Sequence, residues 1–151
     1  MIRSDDISVY SDGCETLSEK KISDLKNRVQ TIRSVDNALL VSIHQNYYSD
    51  PQYNGAQVFY AKTEGSRELA QQMQQYFKNY IDSTNHRKCK QADSVYLLNN
   101  ISCTAVLVEC GFLSNPIEAE LLQSAEYQKK LLCTLCGALN VYLEGSINDE
   151  V

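Results

Sequence analysis

Apolar residues recur along the chain at two different spacings, and the switches between them outline the fold. Thr16 and Glu19 stand in capping-box relation, and Ile22, Leu25, Val29 and Ile32 follow three or four apart. That spacing predicts a helix over about 17–34, ending near Asp36 and Asn37. The next apolar run, ALLVSIH over 38–44, is too short for a helix and predicts a buried strand that delivers His44 at its carboxyl end. A polar loop, QNYYSDPQYNG, leads to a second strand, GAQVFYA over 55–61. Beyond Gly65 and Ser66 the helical spacing returns, with Leu69, Met73, Phe77 and Tyr80 on one stripe.

The second half repeats this alternation. A loop rich in Asn, His, Arg and Lys over 84–92 precedes VYLL (95–98), read as a strand, and TAVLV (104–108), the most strand-like segment in the chain. TAVLV does not alternate with polar residues, which implies burial on both faces. Asn115 as a cap, Pro116 in the first helical position and Glu118 three residues past the cap open a short helix. Ser124 caps a last one, carrying Tyr127, Leu131, Leu135 and Leu139 on one stripe and running to about 143. Strands alternating with helices predict an α/β layered fold, a central mixed sheet flanked by helices. In such folds catalytic residues gather at the carboxyl ends of strands.

The remaining composition narrows the picture. A length of 151 residues with 43% hydrophobic side chains suits one domain, read as 1–151, and 22% charged residues is too few for a disordered chain. Fourteen basic and nineteen acidic side chains leave a net charge of −5, which repels a phosphate backbone and argues against nucleic acid as a partner. No run approaches the roughly 18 apolar residues of a membrane span, and the opening MIRSDDISVYSDG has no secretory apolar region. Six unevenly spaced cysteines do not outline a disulfide scaffold. Cys133 and Cys136 form a CxxC inside LLCTLCGAL, where the spacing stacks two small hydrophobes on one helical face, and packing is the reading that follows.

Two residues stand where chemistry is expected. His44 and Glu109 each terminate an apolar strand and precede a polar turn, so both can face one cleft. A strand-end histidine can ligate a metal, and a carboxylate at the rim of an apolar strand can act as a general base with a raised pKa. A lone histidine at a strand end is more often a satisfied structural residue, and the same weighting applies to Glu109 taken alone. His86, among Arg87, Lys88 and Lys90, reads as part of a solvated turn and only weakly as a ligand. Tyr47, Tyr48 and Tyr53 can present rings to a sugar, though tyrosines are common on surface loops.

Several segments, in order, resemble a known family: VSIHQN, GAQVFY, the helix opening SRELA, TNHRKCKQADSVYLL, and AVLVECGFLSNPIEAELLQSAEYQKKL. Together they are similar to the zinc-dependent N-acetylmuramoyl-L-alanine amidases of the type-3 family. The opening MIRSDD and LSEKKISDLKNRV resemble the spore-cortex, CwlD-like branch. The resemblance implies that His44 is a zinc ligand and that Glu109 handles the proton of the water attacking the amide between muramic acid and L-alanine. It further implies that Asn46 and Tyr47 contact substrate, that peptidoglycan is the partner, and that the protein acts in the cell wall or extracytoplasmic space. The family's other two zinc ligands precede the position matched by Arg3 and have no counterpart in these 151 residues. The domain is therefore expected to be N-terminally truncated relative to the family, with an exposed sheet edge and an incomplete zinc site. Two functional readings follow, an amidase and a non-catalytic wall-binding or regulatory remnant of its fold.

Overall fold

The computed structural model describes Ile2 and residues 7–148; Met1, Arg3 and the SDD of the opening MIRSDD lie outside the described residues. Nine elements follow in chain order: α1 (Leu17–Arg33), β1 (Leu39–Asn46), β2 (Gln57–Tyr60), α2 (Ser66–Tyr80), β3 (Lys90–Gln91), α3 (Tyr96–Asn99), β4 (Thr104–Phe112), α4 (Pro116–Gln123) and α5 (Ala125–Asn148). The expected α/β fold with a mixed sheet is present. The capping box closes as predicted, with the Glu19 amide donating to Thr16 Oγ1 and Glu19 Oε2 accepting from the Thr16 amide.

The sheet runs β1-β4-β2-β3. β4 is parallel to β1 and antiparallel to β2, so TAVLV lies inside the sheet. Its even-numbered residues Val106 and Val108 pack with Val58 against Leu69, Met73 and Phe77 of α2 and Leu135 and Ala138 of α5. Its odd-numbered residues Ala105 and Leu107 pack against Val29 and Ile32 of α1 and Leu97 and Leu98 of α3. Burial on both faces is why this strand lacks a polar alternation. Among the described residues β1 has a neighbour on one side only, which leaves the expected exposed edge.

Four details differ from the sequence reading. VYLL is a single helical turn, α3: Leu97 and Leu98 are adjacent in sequence and both buried on the same side of the sheet, which a strand's two-residue alternation cannot achieve. The 84–92 loop contributes a two-residue strand, β3, pairing with Phe59 and Tyr60. Cys133 and Cys136 are both exposed, because Leu131, Leu135 and Ala138 set the inward stripe of α5 and the CxxC falls outside it. α5 also extends past 143, to Asn148.

Candidate active site at the carboxyl ends of β1 and β4

Parallel pairing of β1 with β4 sets His44 directly opposite Glu109, and antiparallel pairing of β2 with β4 sets Gln57 opposite Glu109 on its other side. Residues opposite one another across a ladder point to the same sheet face, so a histidine, a glutamate and a glutamine form a row across three strands. This is the face of Ala105 and Leu107, beyond the part covered by α1 and α3. Beyond the row the β1–β4 register shifts: Asn46 pairs with Phe112, so Cys110 and Gly111 stand against Gln45 alone. Such an irregularity bends the strand end away from the sheet, a frequent device next to functional sites.

Glu109 is half-buried, and its Oε2 is buried with no hydrogen-bond partner among the described residues. Burial pushes its pKa above the ordinary value of 4.5. A carboxyl group held there without donors is suited to taking up and releasing a proton. His44 is exposed, with Nε2 3.0 Å from Ser42 Oγ. Gln57 is 4% exposed, donates from Nε2 to the Lys88 carbonyl and accepts from Arg87 Nη1 at 3.3 Å. Arg87 also donates from Nε to the Asn54 carbonyl, and its guanidinium lies 4.7 Å from the centre of the Phe112 ring.

Glu118 ties these segments together. One carboxylate oxygen accepts from the Gly55 amide at 2.8 Å and the other from the Phe112 amide at 2.7 Å. The two amides flank the row: Gly55 lies two residues before Gln57, and Phe112 three after Glu109. Gly55 has φ +91°, where a side chain is strained, and a Cβ at Gly111 would stand 3.2 Å from the Glu118 carboxyl carbon. Asn115 orients the whole turn by accepting from the Ile117 and Glu118 amides. The sequence placed Glu118 only at a helix start; nothing in the one-dimensional pattern reveals that its carboxylate bridges two distant strands. Gln57 and Arg87 were missed for the same reason, since strand pairing brings Gln57 beside Glu109 and a side-chain hydrogen bond ties Arg87 to Gln57.

Of the other sequence candidates, Asn46 is half-buried, and its Oδ1 accepts from the Tyr47 amide. Tyr47 is 73% exposed. The Tyr48 and Tyr53 rings meet at a tilt of 59° with centres 4.6 Å apart. His86 is exposed and lines a cleft together with Arg87 and Lys88.

Among the described residues no three His, Cys, Asp or Glu side chains come together to hold a metal ion. His44 and Glu109 offer one nitrogen and one carboxylate, whereas a catalytic zinc takes three protein donors. Cys110 adds nothing, because it belongs to the core on the opposite sheet face and its thiol is pushed up to about 11, first by burial and then by the Glu109 charge. These residues by themselves do not complete a zinc site.

The fold and row define an α/β protein with a half-buried glutamate between a histidine and a glutamine at one end of its sheet. The chain belongs to the N-acetylmuramoyl-L-alanine amidase family, whose pattern matches residues 1–140. It is 34% identical over 146 residues to the germination-specific N-acetylmuramoyl-L-alanine amidase of Bacillus subtilis, covering 95% of this chain and 61% of that protein. In fold it is similar to the CwlD amidase from Clostridioides difficile, solved in complex with the GerS lipoprotein, with a TM-score of 0.90 and 38% identity over 95% of this chain and 74% of that one. An N-acetylmuramoyl-L-alanine amidase from Clostridium difficile 630 superposes with a TM-score of 0.73 at 29% identity, over 80% of this chain and 65% of that one. The chain thus spans about three fifths of the curated relative's length.

Proposed function

We propose that this chain carries the proton-handling part of a peptidoglycan amidase site, acting outside the cytoplasmic membrane on the amide between N-acetylmuramic acid and L-alanine. The observation that carries the reading is the buried, partnerless Glu109 Oε2 in register with His44 at the carboxyl ends of two parallel strands. Glu109 accepts a proton from the attacking water and returns it to the alanine nitrogen as the C–N bond breaks, leaving a muramic acid carboxylate and a free peptide amine. Gln57 and Glu118 fix the strand ends on which that exchange depends. His44 would be one ligand of the family's zinc, which would polarise the amide carbonyl, and Asn46 and Tyr47 form the rim that substrate meets. Among the described residues no helix is long and apolar enough to cross a membrane.

The test separates the two roles. A polypeptide placing the N-terminal part of the Bacillus subtilis relative ahead of this chain is assayed on a muropeptide, with release of the alanine amine followed by mass spectrometry and zinc by elemental analysis. Glu109→Gln is expected to keep zinc and lose roughly 10²–10⁴-fold in rate, the scale of a missing general base. His44→Ala is expected to lose zinc and activity together. Near-normal turnover by Glu109→Gln would remove the reading.

A further inference from the structure

The edge strand β1 carries nothing that blunts it. Among the described residues its outer side pairs with no strand, and LLVSIHQN holds no Lys, Pro, Asp or Glu of the kind that keeps an exposed edge from pairing. Leu39 and Val41 reach the core only in part, and Ile43, on the same sheet face, is 53% exposed.

An apolar stripe on α5 lies beside this edge. Leu132, Cys136, Leu139 and Leu143 are four, three and four residues apart and so share one side of the helix. Leu132, Cys136 and Leu143 are exposed and Leu139 is half-buried. Gly137 points away from the stripe, towards α2, where a Cβ would stand 3.2 Å from the Tyr76 ring. Since α2 packs over β2 and β4, the side of α5 turned from α2 faces β1. The levels agree as well. A Cβ at Gly65 would meet both Tyr142 Oη and Thr104 Oγ1, which sets Tyr142 level with Thr104 and its ladder partner Leu39. Tyr127, at the other end of α5, is close enough to Cys110 of β4 for their charges to interact, so α5 runs antiparallel to β1. At about 1.5 Å per helical residue and about 3.3 Å per strand residue, the middle of the stripe, between Cys136 and Leu139, stands level with Val41.

We propose that this side of the molecule binds a second copy of the chain. β1 pairs antiparallel with β1 of the copy around Val41, and the two α5 stripes pack on each other above the joint. One two-fold axis serves both layers, because the middle of the stripe and the middle of the pairing fall at the same level. In that register Ile43 of each copy meets Leu39 of the other on the α5 face. Charge favours this occupant: a chain of net charge −5 repels its like, but neither the strand nor the stripe contributes a charged side chain apart from the titratable His44. The eight-residue strand, about 26 Å long, with the helix layer above it offers on the order of 500 Å² per copy, about the 1,000 Å² in total that a specific interface needs. Glu109 lies one strand in from the joint, and the proposal does not depend on the amidase reading.

The test uses the full chain. Analytical ultracentrifugation is expected to find a monomer–dimer equilibrium that stops at twice 17.1 kDa, since a two-fold pairing uses up its own edge. A short bismaleimide is expected to join Cys136 of one copy to Cys136 of the other near the axis. The cross-linked dimer is therefore expected to survive Cys133→Ser, which lies outside the stripe, and to be lost in Cys136→Ser. The double variant Leu132→Glu/Leu143→Glu and, separately, Ile43→Lys, all at exposed positions, are expected to raise the dissociation constant about tenfold or more with unchanged far-ultraviolet circular dichroism. A chain that stays monomeric to about 0.1 mM, assemblies that grow beyond two copies, cross-linking that survives Cys136→Ser, or a dimer indifferent to both surface variants would each overturn the proposal. So would a monomer whose face is taken instead by the N-terminal part of the Bacillus subtilis relative, added as a separate polypeptide and displaced by the same substitutions.

Discussion

The two faces of β4 set a dry region beside an open one within a single strand. Val106 and Val108 are fully buried against α2 and α5, surrounded by Leu69, Met73 and Phe77. One residue further along, Glu109 turns to the other face, where α1 and α3 no longer cover the sheet and His44 and Gln57 stand beside it. The difference shows a division of labour. The packed face holds the strand in one position, and the open face spends that rigidity on keeping a carboxyl group half out of water with no hydrogen bond to satisfy it.

Removing the packed side is the most damaging way to break the comparison. Phe77 is completely buried between α2 and the sheet. Phe77→Ala is expected to lower unfolding stability by about 3–5 kcal/mol in urea titrations, because deleting a buried ring loses both transfer energy and contacts around the cavity. A loss below about 1 kcal/mol would mean that this face is not the tightly packed one.

A smaller effect is expected where the two regions are stitched together. Glu118→Ala deprives the Gly55 and Phe112 amides of their acceptor, and a loss of about 2–3 kcal/mol follows from two bonds to a charged group at a half-buried position. Glu118→Gln retains one acceptor oxygen and should recover about half of it. If Gln and Ala behaved alike, the bridge would not be what holds these strands.

The sequence revealed the dry region better than the open one. The helical spacing of Val29 with Ile32 and of Leu69, Met73 and Phe77, and the unbroken TAVLV run, are direct consequences of burial, so they are visible without knowledge of pairing. His44 and Glu109 were legible because a polar residue ending an apolar strand is a local signal. Gln57, Arg87 and Glu118 were not, since each acquires its role from a partner 30 to 63 residues away. VYLL was misread because four apolar residues carry no period of their own, and the packing of α3 against α1 decided its shape. The CxxC was misread because its own spacing fits a helix face, while Leu131, Leu135 and Ala138 determined which face turned inward.

Glu109 itself sharpens the comparison through pH. Burial raises its folded pKa, so the stability this group contributes is fully present below the unfolded value near 4.5 and is lost as pH rises through the folded value. Glu109→Gln cannot ionise. The variant should therefore match the parent in thermal unfolding at pH 4 and exceed it at pH 7. A variant less stable than the parent at pH 7 would mean that the ionised carboxylate is well accommodated.

The most direct measurement is the carbon-13 NMR titration of the Glu109 carboxyl group in the intact chain. The account predicts a midpoint clearly above 4.5, returning towards that value when the packed face is loosened by a milder core change such as Val108→Ala. A midpoint at or below 4.5 in the parent would contradict it, since Glu109 would then be an ordinary solvated carboxylate and the open face would hold no group poised to carry a proton.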